Sequence, residues 1–386
     1  MTDSIPGVAI LTDELLARIR SRAAGYDAAN AFFTEDFDEL VAVGYLKAFV
    51  PGTHGGLGLS VAQVAREQQR LAGAAPATAL AVNMHLVWTG VAKVLHDRGD
   101  PSLDFVLREA GEGEVFGFGV SEAGNDLVLF GSTTDAAPQP DGGYRFTGTK
   151  VFTSLSPAWT KLGTMGLDAT SADAPKIVWG FVDRGEGIEV RPDWDTVGMR
   201  ASQSNSTRLV GALAPADRVV RRLDPGPNPD GLLFGIFTVF EILLASVYTG
   251  IGQRALEIAV ETVKKRMSLK SGKPYSQDPD IRFRLASAAI EQDALAPQIH
   301  ALASDLDNLV NHGGLWFAKV AGLKVRATET AREVVDKAIR VSGGSSYSSS
   351  SELGRLYRDV LAGLFHPSDD ESAHSTVAAA WLGPLA

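Results

Sequence analysis

The sequence predicts an α+β fold in three consecutive parts: an N-terminal helical domain over residues 1–115, a central β domain over 116–225 and a C-terminal helical bundle over 226–386. Three observations predict it. Apolar residues recur at helical spacing in the first and last thirds, as in Leu15, Leu16, Ile19 and Ala23. Between 116 and 225 the apolar runs are short, rich in Val, Phe, Thr and Tyr, and separated by Gly, Pro and Asp, which is strand-and-turn chemistry. Asp224-Pro-Gly-Pro-Asn-Pro-Asp-Gly231 is a linker out of that region.

In the first third, Thr12 and Asp13 are cap candidates ahead of a helix, and 38–44 is a short helix stopped by Gly44. Phe49-Val-Pro-Gly-Thr-His-Gly-Gly-Leu-Gly-Leu-Ser60 is a Gly-rich loop ending at an N-cap Ser. Its glycines are expected to turn the chain, because the Gly-Lys-Ser/Thr of a phosphate loop is absent. Helices follow over 61–71 and 77–95. His85 lies in an apolar setting there, where a lone histidine is usually a satisfied core residue.

The central third is organised around 116–154. Phe116-Gly-Phe-Gly-Val-Ser-Glu-Ala-Gly-Asn-Asp126 and Tyr144-Arg-Phe-Thr-Gly-Thr-Lys-Val-Phe-Thr-Ser154 are strand-like, with Asp141-Gly-Gly143 as a turn, so a plain β-hairpin wall is the bland expectation. Gly117 and Gly119 are expected to bare the backbone to a flat ligand, with Ser121 and Ser154 as nearby hydroxyls. Two motifs fail here. Gly117-x-Gly119-x-x-Glu122 lacks the third Gly of a dinucleotide fingerprint, and Gly119-x-Ser121-x-Ala123 lacks the second Gly of a nucleophile elbow. Further strands are expected over 143–152, 162–167, 177–182, 188–191 and 207–213.

The last third contains helices over about 232–268, 280–311 and 314–341, whose apolar stripes make a bundle. Residues 231–250 carry only Glu241 as a charge and are long enough for a bilayer, but three glycines and a central acid point to a buried helix and no membrane insertion. A net charge of −10 argues against nucleic acid. Zero Cys excludes disulfides and thiolate chemistry. The first six residues show neither a basic segment nor a long apolar one, so a cytoplasmic location is expected.

Val120-Ser-Glu-Ala-Gly-Asn-Asp126 and Thr147-Gly-Thr-Lys-Val-Phe-Thr-Ser154 resemble the flavin-holding strands of the acyl-CoA dehydrogenase superfamily, which run T-E-P-G-A-G-S-D and G-x-K-x-W/F-I-T. The first motif is two residues short and has Ala123 for the usual Pro. The 49–60 loop resembles the family's V-P-x-x-x-G-G-L-G, and Thr196-Val-Gly-Met-Arg-Ala-Ser-Gln-Ser204 its G-M-R-x-T-x-S. Ser342-Gly-Gly-Ser-Ser-Tyr347 stands where Q-x-x-G-G-x-G-Y touches the diphosphate of a neighbouring subunit's FAD, with Arg340 in the Gln place.

The resemblance implies a central β-barrel-like domain, a C-terminal four-helix bundle, FAD as cofactor and a homodimer or homotetramer. It implies flavin contacts at Phe118, Val120 and Ser121 on one strand and Phe152, Thr153 and Ser154 on the other. It implies diphosphate contacts at Arg266, Gly343 and Gly344, although Leu269 replaces the aromatic partner of Arg266. The expected reaction is α,β-dehydrogenation of an acyl-CoA or acyl-carrier thioester, with an electron-transfer partner. The family's usual Glu, nine residues after the Arg of Arg358-Asp359, is here Pro367. Glu241, amid Phe237, Phe240, Leu243 and Leu244, is the candidate base, since burial raises a carboxyl pKa. His366 supports an alternative: in flavin monooxygenases of this fold a His near this point serves the reaction of reduced flavin with O₂. A non-enzymatic scaffold is a third class. His366, Asp369, Asp370, Glu371 and His374 have metal-ligand chemistry, but consecutive acids before a helix are expected as caps, and no metal is expected.

Overall fold

The computed structural model describes residues 9–171 and 173–383; the expectation drawn from the first six residues lies outside them. Five helices come first: α1 (Asp13–Ala29), α2 (Thr34–Ala42), α3 (Val61–Ala74), α4 (Pro76–Asp97) and α5 (Asp104–Glu112). Local chemistry sets their ends. The Thr12 hydroxyl accepts from the Leu15 N–H, and Asn30 closes α1 in the left-handed conformation. Ser60 and Gln63 form a capping box on α3, and Pro76 opens α4. The glycines of 49–60 do turn the chain: a Cβ on Gly56 would lie 2.1 Å from the Val50 carbonyl oxygen.

Eight strands follow: β1 (Phe116–Gly119), β2 (Asp135–Pro138), β3 (Tyr144–Lys150), β4 (Lys161–Asp168), β5 (Lys176–Asp183), β6 (Ile188–Val190), β7 (Thr207–Ala214) and β8 (Val219–Leu223). They form one sheet in the order β6-β7-β3-β2-β4-β5-β8, and β1 pairs in parallel with the first half of β4. β2 pairs with the far end of that strand, at Leu167. One edge of β4 is thus shared by two strands that leave the 120–134 loop between them. The hairpin expected between 116 and 154 is therefore corrected, because Asp141-Gly-Gly143 joins β2 to β3, and β1 and β3 do not pair. The sequence signal missed β2 because Asp135-Ala-Ala-Pro138 is poor in strand formers.

The second helical part holds α6 (Gly231–Lys265), α7 (Pro279–Asp293), α8 (Leu295–Asp307), α9 (Leu315–Ser342), α10 (Glu352–Val360) and α11 (Asp370–Leu382). The expected 280–311 helix is two helices that part at Ala294. α6 packs against α9, α3 and α4, so the apolar 231–250 run is the molecule's central helix. Ile242, Leu243, Leu244, Val247 and Ile251 are fully shut from solvent, each contributing about 1.5–3 kcal/mol of burial. The architecture is helices, sheet, helices, as the three-part pattern implies.

Candidate functional site

β1 is buried at all four residues. Its glycines do not face a ligand: a Cβ on Gly117 would strike Trp159, and one on Gly119 would strike Leu162. The expectation that they bare the backbone to a flat molecule is corrected; they admit core side chains. Phe118 packs between Trp88, at 5.3 Å, and Phe240, at 5.7 Å, so α4, β1 and α6 meet there. Val120 and Ser121 lie beyond β1, and Phe152, Thr153 and Ser154 beyond β3, in connecting segments rather than on strands. The two segments are joined where the Val151 N–H donates to the Ser121 carbonyl, 2.9 Å.

Glu122 and Lys150 fix that junction. Their side chains are wholly buried and 2.5 Å apart. Glu122 also accepts from the hydroxyls of Ser132 and Thr133 and the N–H groups of Thr133 and Thr134, while Lys150 donates to the Met165 carbonyl. Burial would raise the Glu122 pKa, but Lys150 and the hydroxyl donors bring it down to about 2. Glu122 and Lys150, one charged residue from each motif, thus hold the backbone that carries 120–121 and 152–154.

The presented segment is strained. Phe152 has φ +57° and Leu155 φ +61°, conformations that bulky side chains rarely adopt. The Phe152 ring stays half exposed, edge-on to Trp194. Thr153 is buried with its Oγ1 unpartnered. Ser154 Oγ is 2.7 Å from Ser204 Oγ, which is 2.7 Å from Ser202 Oγ. An exposed aromatic face thus stands beside small hydroxyls on left-handed backbone, a conformation that costs free energy to hold.

The other predicted residues gather at the turn between α10 and α11. Its Gly363 fits against Tyr248 and Thr328, where a Cβ would come within 2.9 Å of each side chain. The His366 ring is 5.9 Å from that of Tyr248; its Nε2 and the Tyr248 hydroxyl are both buried without partners. Burial, with Lys324 adding to it, holds the His366 pKa well below the ordinary imidazole value, so the ring is neutral. Glu241 is 1 % exposed, with Oε2 unpartnered. Burial raises its pKa to about 8, although Ser368 and Lys324 pull the other way. Glu241 and His366 are therefore brought to the same turn, Glu241 by way of Ser368. Lys324 went unnoticed in the sequence, although it falls in the buried stripe Val320, Leu323, Lys324, Ala327 of α9. Its Nζ donates to the carbonyls of Gly363, His366 and Ser368.

At the far end of α6, Arg266 donates to the Ser342 carbonyl and lies against Gly343, so the predicted residues do meet. Gly343 has φ +79°, a conformation that favours glycine, and Gly344 opens the short turn after it. Leu269 is fully exposed, and the aromatic partner is Tyr275, 5.0 Å from the guanidinium. A Met267–Pro274 bridge folds Tyr275 back to this place. Arg200 donates to the Asp27 and Thr196 carbonyls and pairs with Asp195, which ties α1 to the Gly198-Met-Arg200 turn. His85 is a core residue: its Nδ1 accepts from the Phe116 N–H, and its Nε2 bonds the Leu46 carbonyl. Asp369 caps α11, and Asp370 pairs with His374 one turn along. Among the described residues no cluster of metal-ligating groups forms.

Comparison with known proteins places this geometry. The family described as "Acyl-CoA dehydrogenase, C-terminal domain" matches residues 242–370. The amino sugar nitrososynthase DnmZ of Streptomyces peucetius is 32% identical over 92% of this chain and 88% of its own. The putative acyl-CoA dehydrogenase YdbM of Bacillus subtilis is 27% identical over 92% of each chain. The X-ray structure of KijD3 in complex with FMN and dTDP-3-amino-2,3,6-trideoxy-4-keto-3-methyl-D-glucose superposes with a TM-score of 0.85 at 26% identity, covering 97% of this chain and 92% of KijD3. The chain belongs to the acyl-CoA dehydrogenase superfamily, a family of flavin-using oxidoreductases.

The residues present fit a flavin. Phe152 offers an open aromatic face, Thr153 a buried oxygen without a partner, and Ser121 and Ser154 small hydroxyls at the same junction. Arg266, seated over Gly343, offers a cation for phosphate, with open space at Gly344 beside it.

Proposed function

We propose that this chain is a flavin-dependent monooxygenase that transfers one atom of O₂ to the nitrogen of a small amine, with a nucleotide-bound amino sugar as its substrate class. The observation that carries the reading is the turn between α10 and α11. Where the family's dehydrogenases need a carboxylate, it has Pro367, and beside it His366 offers a buried, neutral, unpartnered Nε2. The similarity to DnmZ and to KijD3 bound to FMN and an amino sugar nucleotide supports the same reading.

Reduced flavin, when bound, supplies the two electrons by which one oxygen atom joins the nitrogen and the other leaves as water. The protein's part is positional and acid–base. Nε2 of His366, neutral and without a partner, can accept a hydrogen bond from the substrate nitrogen and so orient it, and the Tyr248 hydroxyl can donate toward the oxygen leaving as water. Phe118, Phe240 and the buried face of α6 keep water from one side. FAD is favoured over FMN because Arg266, Gly343 and Gly344 form a phosphate corner that FMN would leave unused. In a homodimer or homotetramer that corner would serve the neighbouring chain, and a flavin reductase would be the supplying partner.

The unpartnered, high-pKa carboxyl of Glu241 favours a second reading, dehydrogenation of an acyl thioester with Glu241 as base and an electron-transfer partner. One experiment separates the two. The protein is supplied in air with enzymatically reduced FAD or FMN and a dTDP-amino sugar, and product is followed by mass spectrometry. A second sample, loaded with oxidised flavin, meets a panel of acyl-CoA esters under nitrogen. We expect a product gaining one oxygen, lost by about 10²-fold in His366→Ala, and no anaerobic bleaching. Bleaching by any thioester, slowed in Glu241→Gln and without oxygenated product, would sink the oxygenase.

A further inference from the structure

Lys324 lies on the buried face of α9 and is 1 % exposed. A lysine so placed must give its ammonium protons to acceptors, because a buried charge without bonds is far costlier than a bonded one. All three acceptors lie on one short segment: the carbonyls of Gly363, at 3.0 Å, His366, at 3.2 Å, and Ser368, at 2.8 Å. An ammonium has three donors, so the three bonds use all of them. Besides these bonds the segment is held by the packing of Gly363 on Tyr248 and Thr328 and by Ser368 beside Glu241. A short helical turn ends at Leu364, and α11 begins at Asp370. Glu241 faces the lysine from α6, Asp369 and Asp370 from the head of α11, His366 from the turn itself and Glu329 from its own helix. None of them is in direct ion-pair contact with it, so the carbonyls are its first partners.

We infer that Lys324 is the positioning residue of this turn: through three carbonyls it fastens 363–368 to α9 and so holds the imidazole of His366 beside Tyr248. The inference rests on the oxygenase reading only for the task given to His366; the fastening itself is independent of which reaction the site performs. It also separates the two buried acids and bases by role. Lys324 shapes the site without touching substrate, and Glu241 reaches the same turn only at Ser368.

The test uses the full-length protein without flavin. Hydrogen–deuterium exchange of Lys324→Met is compared with the wild type, together with the ring signals of isotope-labelled histidine. Methionine keeps a flexible side chain and removes the charge and all three donors. Peptides spanning 361–369 should exchange about 10- to 100-fold faster, the scale expected when hydrogen bonds from a charged donor are lost. Peptides from α4 and from the middle of α6 should stay within about twofold, and the His366 signal should move toward that of a solvated histidine. Glu241→Gln keeps the lysine and its three acceptors and changes only the contact at Ser368, so it should loosen 361–369 by less than Lys324→Met; equal loosening overturns the inference. Exchange in 361–369 that stays at the wild-type rate in Lys324→Met, with the His366 signal unmoved, overturns the inference. Should Lys324→Met fail to fold, Lys324→Gln retains two donors on a shorter chain. Loosening confined to the same segment then supports the inference, and unchanged exchange overturns it. Because exchange is read without flavin, failure of the oxygenation assay has no bearing on whether Lys324 fastens the turn.

Discussion

Among the described residues a lysine and a glutamate are buried together twice, and the two pairs behave in opposite ways. Glu122 and Lys150, in the β region, are in contact at 2.5 Å, and five further hydroxyl and amide donors converge on the carboxylate. Glu241 and Lys324, between α6 and α9, sense each other's charge without touching, and one carboxyl oxygen has no partner. Burial pushes a carboxyl up in both places. In the first it is overcome and the pKa falls to about 2; in the second it prevails and the pKa rises to about 8. A saturated pair is a fastening, whereas an unsaturated one leaves a group able to exchange a proton.

The largest effect should come from breaking the saturated pair. Lys150→Met leaves Glu122 charged, buried and short of its cation, and should cost about 3–5 kcal/mol in urea denaturation. A loss under about 1 kcal/mol would erase the contrast. pH should sharpen it next. Glu122 has a depressed pKa, so its contribution is present above the unfolded value of 4.5 and is lost as pH falls toward 2. Glu241 has a raised pKa, so its contribution is full below 4.5 and is lost as pH rises through about 8. The wild type should therefore lose stability relative to Glu241→Gln between about pH 5 and about pH 8.5; parallel denaturation midpoints across that window would refute the raised pKa. The smallest effect concerns Arg266. Tyr275→Leu should weaken FAD binding by up to about 1 kcal/mol, the scale of a cation–π contact at a partly exposed site, and Leu269→Ala should leave it unchanged. Fluorescence titration with FAD measures both, and equal effects would mean that the aromatic partner is misassigned.

What the sequence disclosed follows from the range of its signals. Periodicity is local, so α4, α6 and α9 were legible, as was the change to short runs at Phe116. Pairing between distant strands is not local: 116–119 and 144–150 looked like two arms of a hairpin, but β1 took β4 as its partner across some forty residues. The same limit hid Tyr275, which reaches Arg266 only because the Met267–Pro274 bridge doubles the chain back. Lys324 was hidden for a different reason. In a helix rich in Lys, Arg and Glu, one more lysine looks like a solvated face, and only its register with Val320 and Ala327 marks it as interior. Glu241 was legible because it is the single charge in twenty residues, and His366 because the Arg358-Asp359 pair gave a fixed point to count from.

The continuity of α6 sets a ruler inside the protein. Phe240, beside Phe118 in the first third of the helix, and Arg266, just past its C-terminal end, are separated by helix that rises about 1.5 Å per residue, which puts roughly 40 Å between them. That span exceeds the reach of a single dinucleotide. On the proposed assignment, no chain can grip the ring and the far phosphate of the same FAD, so each cofactor must straddle two chains. Flavin loading then becomes a gauge of assembly: dilution that parts the chains should also release the colour, and a chain too scarce to find its copy would stay unloaded.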